Sequence, residues 1–537
     1  MSGAQAPRVL ETPGGLSVEY RGRLLYSSRD PAALPRRVAA ACDKGPARLH
    51  LVPSPLLWHG VSELLAAMGP GSALLCVEAE PDLAALARER MPPSLAGDSR
   101  LAFIEASTPG EALDAARELG SFRACSLCAL SGGFSLDKRR YEEMAAALQS
   151  EFEADWRNRA ALMILGPRWA RNILDNLAGL PSMGLEPLPS FPGPVLVCGA
   201  GASLEEALPL ARSRRDRIGI VACDTALGTL RAAGLEPDLA VCLEGQAHNL
   251  ADFTCLGSMR VRLAADLSSH PATFRAVAGR KHLTLARITR SPFLDRVEAV
   301  LKDAKVPFLG LPPLGSVGVH AACIARVLGR GPVLAAGLDF SFLPGKTHAR
   351  GCPSLFAEER ALARLRRWPG QLAASYRDRN LRLEGGLLTD PILLSYAAVL
   401  AESCPGLLDL RAFGPSIGGR RISLAQAEAL IDQAKPQESA ASGAGGEGSA
   451  AIPSWEKLDA FLRAELARLE ALRLSMHGTH LLEAGEFRAL VLGSDYLWWG
   501  FPDQDRVRDL PQDFLNRLVP QVEYWSARLS ALLEDSG

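Results

Sequence analysis

Three short apolar runs between residues 194 and 249 constrain the fold more than any other feature of this sequence. They span residues 195–198, 218–223 and 239–243, and polar segments long enough for helices separate them. Short runs that are apolar throughout predict strands buried on both faces of a parallel sheet. The spacing therefore predicts a βαβαβ unit, whose ligands would bind at the carboxyl ends of the strands.

Residues suited to ligand binding follow all three predicted strands. In chain order they are Gly199, Ala200, Gly201, Ser203, Asp224, Glu244 and Gln246. A glycine turn that leads into a helix N-terminus favours a phosphate, because free backbone N–H groups point out of the helix end. The carboxylates would then face sugar hydroxyls, a base amine or a Mg²⁺ ion. A tight turn followed by an ordinary N-cap is the alternative for the glycine segment, but the convergence of three strand ends favours a site.

A second stretch repeats this arrangement further along the chain. Its candidate residues are Gly315 and Ser316 at a helix start, Asp339 at a strand end, and Lys346, Thr347 and His348 in the following loop. An imidazole near neutral pKa can accept a proton from a hydroxyl group, which makes His348 a candidate base beside Asp339. A surface loop histidine is the alternative. His320 lies on the apolar face of the helix and is predicted to pack in the core.

Composition limits the class of protein. The chain has 537 residues with a formal net charge of −1, so no overall field attracts nucleic acid or an anionic membrane. The first residues lack the apolar segment of a signal peptide, and no apolar run is long enough to span a membrane. We therefore expect a cytoplasmic protein. The 11 cysteines lie in apolar contexts, which predicts reduced thiols. They are scattered singly, except for Cys125 and Cys128, which form one CxxC.

The pattern along the chain predicts four segments. Residues 1–190 form a Rossmann-like domain, in which Glu78 and Glu80 end a strand but a proline-containing loop stands where a nucleotide-binding turn needs glycine. Residues 191–434 form a doubly wound, mostly parallel α/β domain. Residues 435–453 lack core-forming side chains and predict a disordered linker. Residues 454–537 show helical apolar spacing and predict a helical domain.

Two further features leave alternatives open. Residues 356–384 are rich in arginine, which fits either a solvated helical insertion or a grip on an anionic ligand. The helical tail contains Tyr496, Trp498 and Trp499 in one short segment. Such an aromatic cluster forms either a packed core or a surface for a partner.

The order of motifs GAGASL, ACDTALGTLRAAGLEPDLAVCLEGQ, GSVG, GLDFSF and GKTHA resembles the bacterial motility accessory factor family. These flagellin glycosyltransferases share a domain with archaeal MptE-like 6-hydroxymethylpterin diphosphokinases. The motifs are also similar to those of bacterial CMP-sialic-acid-dependent sialyltransferases. The segment at residues 24–31 and the stretch that begins LLTDPILLSYAAVL extend the resemblance to nearly the whole chain. The chain differs from the family pattern at Ala202 and at Glu244-Gly245.

The resemblance implies transfer of a pseudaminic- or legionaminic-like nonulosonic acid from a CMP-sugar to Ser or Thr of flagellin. By motif, Gly199, Gly201 and Ser203 would contact the donor phosphate, and Asp224 and Glu244 the nucleoside. Gly315 and Ser316 would contact the cytidine or the phosphate, and His348 would take the acceptor proton. Two alternatives stay open: a Mg²⁺-ATP-dependent pterin diphosphokinase, with Asp224, Glu244 and Asp339 around the metal, and a flagellin-binding protein without catalysis.

Overall fold

Short apolar strands alternate with amphipathic helices through most of the chain, the pattern that builds parallel sheets covered on both faces. The computed structural model describes residues 6–257, 259–365, 367–368, 381–434 and 452–535. The chain divides into two compact units, Met1–Leu162 and Met163–Gly537. The predicted linker at 435–453, except its last two residues, and much of the arginine-rich segment lie outside the described residues. The predicted domain boundaries at 190 and 434 stay predictions.

The first unit begins with an antiparallel sheet. Its strands are β1 (Arg8–Thr12), β2 (Gly15–Tyr20) and β3 (Arg23–Leu24). A parallel sheet follows, with strands β4 (Arg48–Pro53), β5 (Ala73–Glu78), β6 (Leu101–Glu105) and β7 (Ala124–Leu127) in the order β6-β5-β4-β7. Numbered along the chain, these four strands have the order 3-2-1-4, which occurs in Rossmann-type sheets. The helices are α1 (Ala33–Ala40), α2 (Val61–Ala67), α3 (Pro81–Glu89), α4 (Pro93–Ala96), α5 (Pro109–Leu119) and α6 (Lys138–Gly179), and the division into units falls within α6.

Glu78 at the end of β5 is held by the protein itself. Its carboxylate accepts hydrogen bonds from Ser54 Oγ at 2.5 Å, from Tyr141 OH at 3.2 Å and from the Ala79 and Glu80 N–H groups. Glu80 forms an ion pair with Arg21 at 2.8 Å. The acidic end of this strand therefore has a structural role within the first unit.

The second unit is built on a parallel sheet that contains nine strands within the described residues. In chain order they are β8 (Val195–Cys198), β9 (Gly219–Cys223), β10 (Leu239–Cys242), β11 (Leu263–Asp266), β12 (Lys281–Ala286), β13 (Phe308–Leu311), β14 (Val333–Ala336), β17 (Leu408–Asp409) and β18 (Arg420–Arg421). The first three confirm the βαβαβ unit predicted from the sequence. A separate antiparallel hairpin contains β15 (Arg382–Glu384) and β16 (Leu387–Thr389).

The strand order of this sheet is β13-β12-β11-β10-β9-β8-β14-β17-β18. The chain therefore winds outward from β8 in one direction and then returns to place β14 on its other side. Such a reversal opens a crevice at the carboxyl ends of the two neighbouring strands. The covering helices are α7 (Leu204–Ser213), α8 (Leu227–Ala232), α9 (Pro271–Ala276), α10 (Pro292–Asp303), α11 (Val317–Leu328), α12 (Pro353–Arg360), α13 (Pro391–Ser403) and α14 (Leu424–Asp432).

The described tail contains three α-helices, α15 (Trp455–Met476), α16 (Ala484–Gly493) and α17 (Gln512–Asp535). The described tail packs on α10 of the same unit through the predicted aromatic cluster. The rings of Phe293 and Tyr496 lie 4.6 Å apart between centroids, and Trp499 and Tyr496 are each 1% exposed. The cluster is therefore a packed core, one of the two alternatives that the sequence left open.

All 11 cysteines lie within the described residues and are free thiols, and His320 is buried, as predicted. Among the described residues, no helix combines the length and the apolar character needed to cross a membrane.

A buried ion pair joins the tail to α10 and gives a test of this packing. Glu465, 1% exposed, accepts hydrogen bonds from Arg296 Nε at 2.7 Å and Nη2 at 2.9 Å. Glu465→Ala should lower the free energy of unfolding by about 3 kcal/mol, because it leaves the Arg296 charge without its buried partner. Urea unfolding followed by tryptophan fluorescence measures the change. Asp459→Ala breaks an exposed pair with Arg463 on the same helix and should cost under about 1 kcal/mol; equal costs would contradict this account.

Candidate functional site

A cleft of about 260 Å³ opens at the carboxyl ends of β8 and β14, where the strand order reverses. Seven predicted site residues line it, namely Gly199, Ala200, Gly201, Ser316, Asp339, Thr347 and His348. The cleft is also lined by Cys223, Thr225, Val317, Gly318, Gly337, Leu338, Phe340, Ser341, Phe342, Leu393 and Tyr396. The two stretches that the sequence analysis selected thus meet in one cavity.

The backbones that leave β8 and β14 lie in direct contact. Gly199 N–H donates to Ala336 O and Gly201 N–H donates to Gly337 O, both at 2.8 Å. A Cβ on Gly199 would stand 2.3 Å from Gly337 O, and Gly337 itself has a φ of +67°. Only glycine fits two such positions, so close backbone approach explains the glycine turn.

Asp339 and Ser203 join the two turns beneath the cleft. The carboxylate of Asp339 accepts from Ser203 N–H at 2.9 Å and from the Ser203 hydroxyl. Burial raises the pKa of Asp339 to about 6, although both hydrogen bonds from Ser203 act to lower it. The Ser203 hydroxyl is therefore engaged by protein, and Ser203 is not among the cleft-lining residues.

A second buried carboxylate supports the same loop from β17. Arg411 forms a bidentate pair with Asp409, with both N–O distances 2.9 Å, and donates from Nη1 to Leu338 O at 2.7 Å. Burial acts to raise the pKa of Asp409, but Arg411 holds it below its ordinary value. Arg411 could not be selected from the sequence, because an arginine two residues after an aspartate has no distinctive spacing.

One wall of the cleft is the start of α11. Ser316 caps this helix and its Oγ accepts from Gly318 N–H at 3.2 Å. Gly315 precedes the cap with a φ of +70°, and a Cβ there would lie 2.8 Å from the ring of Tyr396. The partial positive charge of a helix N-terminus favours an anion at this wall.

Large side chains, three of them aromatic, form another part of the cleft lining. Phe340 and Phe342 follow Asp339, and Leu393 and Tyr396 project from α13. Phe340 has a φ of +47°, which is uncommon for a bulky residue and marks a constrained loop. These residues were not predicted, since the apolar residues of GLDFSF and LLSYAAVL indicate core as readily as a binding surface. Such a wall suits a flat ring or the apolar face of a sugar.

The loop after β14 brings His348 to the cleft. His348 Nδ1 lies 3.0 Å from Thr347 Oγ1, and burial lowers the pKa of the imidazole from its ordinary value. Lys346 does not line the cleft, because its Nζ forms an ion pair with Glu205 at 2.8 Å. Glu205 also accepts from Arg350 N–H at 2.8 Å, which ties the loop to the first turn of α7.

The remaining predicted residues lie outside the cleft lining. Asp224 is buried and accepts from Thr225 N–H at 2.8 Å and from Asn249 Nδ2 at 2.7 Å. Burial raises the pKa of this carboxyl, although the hydrogen bond from Asn249 acts against the rise. Glu244 accepts from Gln246 N–H at 3.1 Å in the turn after β10.

Helix α6 covers the sheet edge beyond that turn. Asn172 Nδ2 donates to Gly245 O and Ser268 O, both at 2.9 Å, and Asn176 Nδ2 donates to Leu267 O and Ser269 O, both at 2.8 Å. The described residues contain no group of three His, Cys, Asp or Glu side chains arranged to hold a metal ion. Asp224, Glu244 and Asp339 are therefore not part of such a group, and their possible role as Mg²⁺ ligands stays a prediction.

A family model and a solved structure match this chain. Residues 171–345 match the family model described as 6-hydroxymethylpterin diphosphokinase MptE-like, so the chain carries an MptE-like domain. The solved structure of the MAf glycosyltransferase from Magnetospirillum magneticum AMB-1 matches 99% of this chain and 93% of its own, with a TM-score of 0.54 and 13% identity. This likeness extends over both units and shows a shared fold.

Two relatives come from Treponema pallidum (strain Nichols), and both are described as uncharacterized proteins. One is 28% identical and covers 98% of this chain and 95% of its own length. The other is 28% identical over 21% of this chain and 53% of its own length.

The contact between the two turns gives a stability test. Gly199→Ala should lower the free energy of unfolding by about 1–3 kcal/mol, because its Cβ would overlap the Gly337 carbonyl. Gly310→Ala in β13 of the same sheet is the control, since its Cβ would meet its nearest neighbour only at 3.9 Å. That change should stay within about 0.5 kcal/mol. Chemical denaturation of both variants measures the difference, and a tolerated Gly199→Ala would show that the turns can separate freely.

Proposed function

We propose that this protein is a glycosyltransferase that moves a pseudaminic- or legionaminic-like nonulosonic acid from a CMP-sugar to Ser or Thr hydroxyls of flagellin. One observation carries the proposal: His348 opens onto the same cleft as the glycine turn at Gly199–Gly201 and the start of α11. A transferase of this kind needs an anion site and a base within reach of one substrate. The shared fold with the MAf glycosyltransferase adds support.

In the proposed reaction the acceptor hydroxyl oxygen attacks the anomeric carbon of the sugar. Its proton passes to His348 as the new glycosidic bond forms, and the bond to the donor phosphate oxygen breaks with inversion. CMP leaves with the electron pair of that bond. The first turn of α11, with Ser316, Val317 and Gly318 at the cleft, stabilises the negative charge that develops on the leaving phosphate.

Asp339 has a positioning role in this proposal. Its carboxylate is engaged by the backbone and hydroxyl of Ser203, so it holds the glycine turn against the β14 loop. The aromatic wall of Phe340, Phe342 and Tyr396 would pack against the base or the sugar ring. No step is assigned to a metal ion.

Removal of the imidazole tests the proposed base. His348→Ala should lower kcat by about 10²–10⁴-fold, because a positioned general base supplies an acceleration of that order. Purified protein, flagellin and a CMP-activated nonulosonic acid are incubated, and intact-mass spectrometry of flagellin and CMP release are followed. His480→Ala, at an exposed histidine of the helical tail, is the matched control. If flagellin mass never changes with the unaltered protein, the transferase assignment is wrong.

The pH dependence should identify the base. Burial lowers the pKa of His348 from its ordinary value of 6.5, and only the neutral imidazole accepts a proton. Activity should therefore increase with pH through the acid range and level off by about pH 7. The carboxyl of Asp339, with a pKa of about 6, titrates in the same range. If activity still falls at low pH in Asp339→Asn, the fall is due to protonation of His348. If the fall disappears in that variant, it is due to protonation of Asp339.

A second candidate is a pterin diphosphokinase, favoured by the family match over residues 171–345. That match ends at residue 345, so Thr347 and His348 lie outside it. The two reactions differ in product, because diphosphate transfer from ATP releases AMP whereas glycosyl transfer releases CMP. A third candidate, a flagellin-binding protein without catalysis, predicts that His348→Ala and Asp224→Ala leave both flagellin mass and flagellin binding unchanged.

A further inference from the structure

Three side chains form a line of hydrogen bonds that begins at the cleft. His348 Nδ1 lies 3.0 Å from Thr347 Oγ1, and Thr347 Oγ1 lies 2.6 Å from Glu358 Oε2. Thr347 is 7% exposed and Glu358 is half-buried on α12. The middle of this line is therefore shielded from water.

The direction of each hydrogen bond follows from the number of protons available. An ionised carboxylate only accepts, so the single hydroxyl proton of Thr347 is donated to Glu358. Thr347 Oγ1 then has only lone pairs to offer to His348, and Nδ1 must carry a hydrogen to bond it. In a neutral imidazole the other nitrogen, Nε2, is then the one with a free lone pair.

The surroundings of His348 agree with this assignment. Among the described residues, Nε2 of His348 has no hydrogen-bond partner, and the side chain lines the cleft. The backbone at this point is also fixed, because Ala349 N–H donates to Ala200 O at 2.8 Å. The ring is thus anchored at Nδ1 and at its own main chain, while Nε2 remains for a ligand.

We infer that Thr347 and Glu358 are positioning residues that hold His348 in the Nδ1–H tautomer and so present the Nε2 lone pair to the cleft. The catalytic use of that lone pair rests on the glycosyltransferase function proposed above. We call the line from His348 through Thr347 to Glu358 the relay. A loop histidine without it would exchange between its two neutral tautomers, so only a fraction of molecules would present the Nε2 lone pair to the cleft. Glu358 acts through Thr347 and does not itself reach the cleft lining.

The tautomer is measured directly by ¹⁵N NMR of protein labelled at histidine, with the His348 signals assigned from the His348→Ala spectrum. In the unaltered protein near pH 7.5, Nδ1 should show the shift of a protonated nitrogen and Nε2 that of an unprotonated one. Thr347→Val removes the acceptor, so the Nε2–H form should appear. Thr347→Ser keeps the hydroxyl and should restore the original pattern. An unprotonated Nδ1 in the unaltered protein, or an unchanged spectrum in Thr347→Val, would overturn the inference.

Kinetics add a second readout that loss of structure alone would not give. Thr347→Val should lower kcat on the order of 10- to 100-fold with the donor KM little changed, since an orienting partner of a catalytic group has an effect of this size. Thr347→Ser should retain activity. Glu358→Gln should weaken the preference for the Nδ1–H form. The amide N–H can donate to Thr347 Oγ1, and the Thr347 hydroxyl can then donate to His348 Nδ1. Glu359→Gln, at the exposed neighbouring residue of α12, is the control and should leave tautomer and kcat unchanged.

The two readouts separate this inference from the function on which it builds. The NMR spectrum does not depend on the identity of the donor or the acceptor. If the tautomer responds to Thr347→Val as expected but no transfer to flagellin occurs, the relay stands and the proposed function fails. If transfer occurs but the spectrum does not respond, the function stands and the relay is wrong.

Discussion

The contact between the backbones that leave β8 and β14 is the constraint on which the rest of the site depends. Gly201 N–H donates to Gly337 O at 2.8 Å. The Asp339 carboxylate also accepts hydrogen bonds from the Ser203 N–H and the Ser203 hydroxyl. These contacts fix the start of the β14 loop against the glycine turn. The loop then carries Asp339, the aromatic wall and His348 to one cavity. A side chain at Gly199 or Gly337 would separate the two turns.

The sheet edge is divided into an open part and a closed part. Near β8 and β14 it opens into the cleft, whereas beyond β10 the amides of Asn172 and Asn176 bond to the carbonyls that follow β10 and β11. Each amide satisfies two buried carbonyl groups that would otherwise lack partners. Asp266 at the end of β11 is likewise held, by Ser268 N–H at 2.9 Å and Ala286 N–H at 2.6 Å. Polar groups at this half of the edge are therefore engaged by hydrogen bonds within the protein.

This division explains what could be predicted from the sequence. Apolar runs specify buried strands, so the βαβαβ unit and the ends of β8, β9 and β10 were predicted within two residues. The glycine turn and His348 were found because their residue types are unusual at those positions. The strand ends that helix α6 covers could not be predicted from the sequence, because Asn172 lies more than 70 residues before its partner at Gly245. Asp224 and Glu244 were therefore grouped with the cleft, although neither lines it.

The charges around the cleft show how it would select its ligand. Its described lining contains no lysine or arginine, because Lys346 is paired with Glu205 and Arg411 with Asp409. An anion in the cleft must then be stabilised by the start of α11 and by backbone N–H groups, which folding has already oriented. Asp339 lies beneath the same space, so an anion bound there would raise its pKa further. Release of that anion would lower the pKa of Asp339 again, which couples the protonation of the turn to occupation of the site.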